Sequence, residues 1–217
     1  MNPTAVTPPP AQPPVPALLP PPVSPRASSA GPQPYRWTIH QYRELYKTGL
    51  FYDKKTMLLD GVLYVMVMPN PPHDTALNLA CEFLRSVCPT GYHVRNQQGF
   101  DIGTTNDPGP DLAIVPGSIR DYDSRTPTVA LMVVEVAEST LSIDTTTKAE
   151  LYATAGVPEY WVIDLVNNQL LVFRNPQALP AGLGATAYKT HVTFAPTDSV
   201  SPLAAPNATF RVADLLP

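Results

Sequence analysis

The chain has 217 residues, 44% of them apolar, enough for one ordinary hydrophobic core plus an extension. With Arg26 of the N-terminal extension set aside, the remainder carries 13 basic and 18 acidic residues, a net −5. That balance gives no support to non-specific DNA binding, which usually needs a basic face. No stretch of about 18 residues free of charge and proline marks a membrane span.

Residues 1–34, MNPTAVTPPPAQPPVPALLPPPVSPRASSAGPQP, hold 13 of the 28 prolines, one arginine and no acid. They read as a disordered or polyproline II arm, with a folded domain at 35–217. PPVPALLP contains a PxxP spacing, a candidate contact for a protein partner, although a Pro-rich spacer produces that spacing by chance. The N-terminus lacks the basic and uninterrupted apolar regions of a signal peptide. Cys81 and Cys88 are too few for a disulfide framework and, at i, i+7, read as reduced core residues. A cytoplasmic protein is the expectation.

YRWTIHQYRELYKTGL predicts a helix, with Thr38 as N-cap and Gly49 as stop. MLLDGVLYVMV predicts two strands about Asp60-Gly61. Pro-rich MPNPP follows, and HDTALNLACEFLRSVC has a helical apolar face through Leu77, Cys81 and Leu84. YHVRNQQGFDIG reads as a strand or two, DPGPDLAIVPG as turn, strand, turn, and TVALMVVEVA as the strongest strand. In STLSIDTTTKAELYATAGVPEYW a helix is expected from an N-cap at Asp144 or Thr145, stopped by Gly156 and Pro158. WVIDLVNNQLLVFR predicts a hairpin turning on Asn167-Asn168. The last forty residues suggest only short strands such as TFRV. The order implies a mixed β-sheet flanked by helices, an α/β domain.

Within LMVVEVAEST, Glu135 sits in an apolar run that reads as a strand covered on both faces. An ionised carboxylate there costs several kcal/mol (about 3–5) unless a cation or hydrogen-bond donors compensate it. Asp111 opens the preceding apolar strand, PDLAIV. If the two strands are neighbours, both carboxylates converge at one end of the sheet. Two carboxylates, a backbone carbonyl and waters suit Mg²⁺, a hard cation that keeps much of its hydration. Lys148, early in the next helix, can reach the same place and orient water or stabilise charge on a phosphoryl group.

Pro110-Asp111, Glu135 and Lys148 together resemble the PD-(D/E)XK nuclease core. More specifically, from roughly Arg36 to Pro217 the chain is similar to a large bacterial family of restriction-endonuclease-like proteins. The segments that carry the resemblance are RWTIHQYREL, LLDG, Met68-Pro69 with His73, PDLAIV, VVEVAEST and DTTTKAELYATAGVPEYWVIDL. It implies a restriction-endonuclease-like α/β fold. It also implies Mg²⁺ (or Mn²⁺) held by Asp111, Glu135 and the backbone carbonyl of Val136, and hydrolysis of DNA phosphodiester bonds with Lys148 assisting the attacking water. His73, Gln98 and Asp144 are further candidates to line the site, Asp144 being read also as a helix cap. Glu138 reads as a solvated charge, and Tyr160 and Trp161 as core.

Two departures stand against the family pattern. The general motif places lysine two residues after the glutamate, where this chain has Ala137. Many family members carry a glutamate just before the LxDG hairpin, where this chain has Met57. With the acidic balance, these support an alternative: a nuclease-fold protein with little or no turnover and a nucleic-acid-binding or regulatory role. Nucleases of this type commonly act as dimers, so a homodimer is a candidate state.

Overall fold

Helix α1 (Ile39–Lys47) begins at Thr38, whose hydroxyl accepts from the Gln41 amide while the Gln41 side chain accepts from the Thr38 amide. Thr38 is the N-cap the sequence predicts, and Gln41 completes it as a capping box. Strands β1 (Thr56–Leu59) and β2 (Val62–Val65) pair antiparallel about Asp60 and Gly61, whose φ values of 47° and 69° suit a primed two-residue turn. The structure, a computed structural model, describes residues 31–179 and 186–217. The expected Pro-rich arm and its PxxP spacing lie almost wholly outside the described residues. Residues 35–217 form one compact unit.

Helix α2 spans Pro71–Val87 and starts two residues earlier than its apolar periodicity suggests. Asn70 caps it by accepting from the His73 amide at 3.1 Å, and Pro71 and Pro72 occupy first-turn positions where no backbone donor is missed. Strands β3 (Tyr92–Asn96), β4 (Leu112–Pro116), β5 (Met132–Ala137), β6 (Glu159–Asp164), β7 (Gln169–Ala178) and β8 (Thr186–Phe194) form one sheet in that spatial order. Only β5 and β6 run parallel; their connection carries the helical segment Leu141–Thr154. Ser199–Val200 (β9) and Phe210–Arg211 (β10) make a small separate ribbon.

Each sheet face buries its own core. Leu112, Ile114, Val134, Val136, Trp161 and Ile163 pack with Ala76, Leu77, Ala80, Cys81 and Leu84 of α2. Ala113, Val115, Val133, Tyr160 and Val162 pack on the other face with Ala149 and Tyr152. Burying a side chain such as Leu84 contributes roughly 1.5–3 kcal/mol, so α2 is held mainly by packing. Tyr160 and Trp161 are core, as expected. Both cysteines are free; Cys81 is buried and Cys88 half-buried.

Three local expectations change. The β6–β7 loop is Leu165–Asn168, four residues rather than two, because the Asp164 carboxylate accepts from the amides of Val166 and Asn167 and holds a wider turn. Neither Asp144 nor Thr145 is the N-cap of this helix. The helix starts after Thr140 as α3 (Leu141–Ile143), passes through a π-helical stretch (Asp144–Lys148) and continues as α4 (Ala149–Thr154). The nine-residue β8 exceeds the short strands expected near the C-terminus, since its half-exposed TAYKTHVTF is organised by pairing with β7. Among the described residues, no helix is long and apolar enough to cross a membrane.

Candidate active site

Strands β4 and β5 are antiparallel and their pairing begins at Leu112–Val134. That register sets Asp111, one residue before β4, opposite Glu135 near the end of β5. A cavity of about 300 Å³ opens at this sheet edge, bordered by Asp111, Glu135, Val136 and Lys148, with His73, Lys55 and the segment Met66–Asn70 around its mouth.

Glu135 points to the face covered by α4 and is 3% exposed. Its Oε1 accepts from the Tyr152 hydroxyl at 2.6 Å and lies 3.0 Å from Lys148 Nζ. Lys148 Nζ lies equally close, 3.0 Å, to Asp144 Oδ1, and Thr140 Oγ1 donates to Asp144 Oδ2 at 2.6 Å. Asp144, Lys148 and Tyr152 thus form one stripe along the helix. Asp144 lies behind Lys148 and does not border the cavity. A π-helical stretch at this point fits the frequent occurrence of such turns at functional sites.

Asp111 Oδ2 accepts from the Val136 amide at 2.9 Å and lies 3.4 Å from His73 Nε2. Its Oδ1 accepts from Gln97 Nε2 at 3.3 Å and lies 3.8 Å from Lys55 Nζ. His73 Nδ1 is buried and makes no hydrogen bond to any described residue; Asp74 Oδ1 is 3.8 Å away. Glu138 is exposed, as expected, yet it borders the cavity and accepts from Asn70 Nδ2 at 2.5 Å.

Four charges share this buried space unevenly. Burial raises the Asp111 carboxyl, but bonds from His73 and the Val136 amide, aided by Lys55, outweigh it and hold the group at about 2. His73 is raised by the same contact with Asp111. Burial works against the Lys148 ammonium, yet Glu135 and Asp144 outweigh it and keep the lysine charged. Glu135 goes the other way: burial first, then the neighbouring Asp144 and Asp111 carboxylates, push it to about 8 despite Lys148 and Tyr152. Asp111 has His73 and Lys55, whereas Glu135 and Asp144 share the single ammonium of Lys148, and the shortfall falls on Glu135.

Among the described residues no group of three or more His, Cys, Asp and Glu side chains converges as a metal site. An all-oxygen set is available instead. Glu135 Oε2 has no hydrogen-bond partner among the described residues, while the Val136 amide faces Asp111, past the last β4–β5 pair. Its carbonyl projects to the same side of the strand. Two carboxylates and a carbonyl beside a cavity with room for several waters fit Mg²⁺ or Mn²⁺, and a dication there would supply the missing positive charge.

The structure therefore gathers Asp111, Glu135, Val136, Lys148 and His73 at one cavity. Gln98 is elsewhere, in a second cavity behind Lys55. Gln97 takes the expected place because its φ of 49° breaks the strand alternation that placed Gln98. Tyr152 and Lys55 were missed. The i, i+4, i+8 spacing of Asp144, Lys148 and Tyr152 could have revealed Tyr152, whereas nothing local marks Lys55.

A search of curated proteins returns no match. Among solved structures, the chain is similar to the crystal structure of a protein from Anabaena variabilis titled a "putative nuclease belonging to DUF820". The TM-score is 0.64 at 16% identity, covering 82% of this chain and 96% of that one, a likeness of fold. The model of the family described as "Uma2: Putative restriction endonuclease" matches residues 39–213. By that match the chain belongs to the Uma2 family, and its mixed sheet is a restriction-endonuclease-like fold.

Proposed function

We propose that this protein is a metal-dependent endonuclease that hydrolyses DNA phosphodiester bonds. The observation that carries the reading is the meeting of Asp111 and Glu135 across the β4–β5 register, with the Val136 amide between them and Lys148 on Glu135. Asp111, Glu135 and the Val136 carbonyl would hold Mg²⁺ or Mn²⁺. When bound, such an ion polarises a phosphoryl oxygen and makes water more acidic.

The protein's own groups prepare the site. Tyr152 and Lys148 both hold Glu135 Oε1, which leaves Oε2 to face the cavity. The Val136 amide fixes the Asp111 rotamer. Lys148, held between two carboxylates, orients Glu135 and offsets the charge of the acids, and from the same place would assist the attacking water. The overall reaction is attack of water oxygen on phosphorus with departure of the sugar oxygen, and in-line geometry is set by what the cavity holds.

Calorimetric titration of Mg²⁺ and Mn²⁺ into wild type and Glu135→Gln tests this, followed by cleavage of plasmid and oligonucleotide DNA. Binding by wild type, lost in a folded Glu135→Gln, together with metal-dependent cleavage, is expected. Equal binding by both proteins, or none by either, overturns the reading. Ala137, in place of the usual motif lysine, favours a second one: a nuclease-fold protein that binds nucleic acid or regulates with little turnover. Selective DNA binding without cleavage supports that alternative.

A further inference from the structure

The cavity mouth carries a second lysine with geometry unlike that of Lys148. The Lys148 side chain is 3% exposed and fixed by two carboxylates at 3.0 Å. An ammonium held in this way has no freedom to follow a substrate. The Lys55 side chain is 32% exposed, and its only ion pair among the described residues is a loose one, 3.8 Å from Asp111 Oδ1. Its backbone is anchored, because the Lys55 carbonyl accepts from the Met66 amide at 2.7 Å at the base of the β1–β2 ribbon. Lys55 therefore has an anchored backbone and a partly exposed, loosely paired side-chain nitrogen.

Its position adds a second observation. The catalytic cavity of about 300 Å³ and a neighbouring cavity of about 160 Å³ share Lys55, Met66 and Gly109 as a common wall. The second cavity is lined by Tyr42 and Tyr46 and by the Gln97 and Gln98 side chains. A polynucleotide chain crossing from one cavity to the other passes over Lys55. Around the first cavity the Asp111 and Glu135 carboxylates are the proposed metal ligands, Glu138 is acidic, and His73 and Lys148 are occupied by acids. Lys55 is the one cation bordering that cavity, among the described residues, that can leave its acid for a phosphate oxygen.

We propose that Lys55 contacts a non-bridging oxygen of the substrate phosphodiester at the junction of the two cavities, and that the adjoining nucleoside enters the second one. No bond forms or breaks at Lys55; its side chain exchanges Asp111 for the phosphate. A lysine meets a phosphate oxygen as a point charge on a long stem, which suits this task. The inference rests on the nuclease reading for where the phosphodiester lies.

The test uses the full chain with Lys55→Gln and Lys55→Arg, and as probes a fluorescein-labelled 20-base-pair mixed-sequence duplex and its single strand. Anisotropy across a salt series is expected to show affinity weakened about ten-fold in Lys55→Gln, with the salt slope reduced by about one phosphate contact and largely restored in Lys55→Arg. Mg²⁺ titration without DNA should be retained or tighter, because a cation leaves Asp111. DNA affinity and slope in Lys55→Gln equal to wild type overturn the proposal, as does a wild type that binds neither probe. Lys55-dependent DNA binding without Mg²⁺ binding or cleavage leaves the Lys55 contact standing and removes the nuclease reading.

Discussion

The backbone amide of Val136 donates to Asp111 Oδ2 at 2.9 Å, where the next rung of the β4–β5 ladder would otherwise lie. One side chain thus closes the sheet edge and sets the position of a carboxylate. Asp111→Ala should leave a buried amide with no acceptor and lower stability by about 1–3 kcal/mol. Asp111→Asn keeps an acceptor and should stay within about 1 kcal/mol of wild type while Mg²⁺ binding is lost. Denaturant melts and calorimetry on both variants check this, and an Asp111→Ala variant as stable as Asp111→Asn contradicts it.

The metal-free protein should lose stability as pH rises from about 5 to 8. Glu135 has an ordinary value of 4.5 and is raised to about 8 in the fold, so the folded state holds that proton more tightly. Its contribution is complete below the unfolded value and disappears as pH climbs through the folded one. His73, raised by Asp111, adds a slope of the same sign. Asp111, lowered from 3.8 to about 2, does the opposite: its contribution is present above 3.8 and is lost as pH falls towards 2. Glu135→Gln should flatten most of the decline above pH 5 and leave the His73 part. Mg²⁺ added at pH 8 should raise the wild-type Tm, and below pH 8 its binding should release a proton, measurable in buffers of different ionisation enthalpy. A decline unchanged in Glu135→Gln speaks against the assignment.

Lys148→Met should be the most damaging change at the site. Above about pH 8, where Glu135 is ionised, it leaves Glu135 and Asp144 facing one another without their shared cation, a loss of about 3–5 kcal/mol. Adding Glu135→Gln to Lys148→Met should recover part of that loss, since one of the stranded charges is removed. Thermal melts of the single and double variants measure the coupling, and strict additivity would mean the pair does not interact.

Glu159 is fully buried at the opposite end of β6 and is satisfied by Arg174, the Trp161 indole and the Leu203 amide. Arg174→Ala should cost about 3–5 kcal/mol, because the carboxylate loses its cation while staying buried. Mg²⁺ affinity of the folded fraction should be unchanged at low temperature. Altered affinity would reveal coupling along β6 that the static contacts do not contain.

Gly61 holds φ 69°, and a Cβ there would meet Arg36 Cβ at 2.8 Å and the Trp37 carbonyl oxygen at 3.0 Å. The Gly61 carbonyl also accepts from the Trp37 amide at 2.8 Å, so backbone relief is restricted. Gly61→Ala should destabilise by about 1–3 kcal/mol and loosen the ribbon that roots Lys55. Hydrogen exchange at Met57, paired with Tyr64, would report it; unchanged protection would mean the turn relaxes freely.

Much of the fold can be read from local patterns. The Thr38 cap, the Asp60-Gly61 turn, the apolar face of α2 and the runs of β4 and β5 depend on neighbours within a few residues. The candidate site is legible to the extent that a carboxylate in an apolar strand announces a compensating partner, and Asp111, Glu135 and Lys148 do meet. Gln98 and the Asp144 cap failed for a physical reason. A single left-handed residue, Gln97, shifts side-chain alternation by one, and a π-helical stretch lets the helix begin at Leu141 with Asp144 buried inside it.

Residue types and their spacing by themselves determined the mixed α/β plan and which acids needed partners, because helix and strand periodicities and the desolvation of charge are local properties. Tertiary structure decided the rest. Which strand lies beside which, that Leu112 pairs with Val134, that Tyr152 reaches Glu135, and that Lys55 and Gln97 come to Asp111 from distant segments are all set by packing on two faces of one sheet. No neighbour along the chain encodes those contacts; they exist only once both faces are covered and the register is locked.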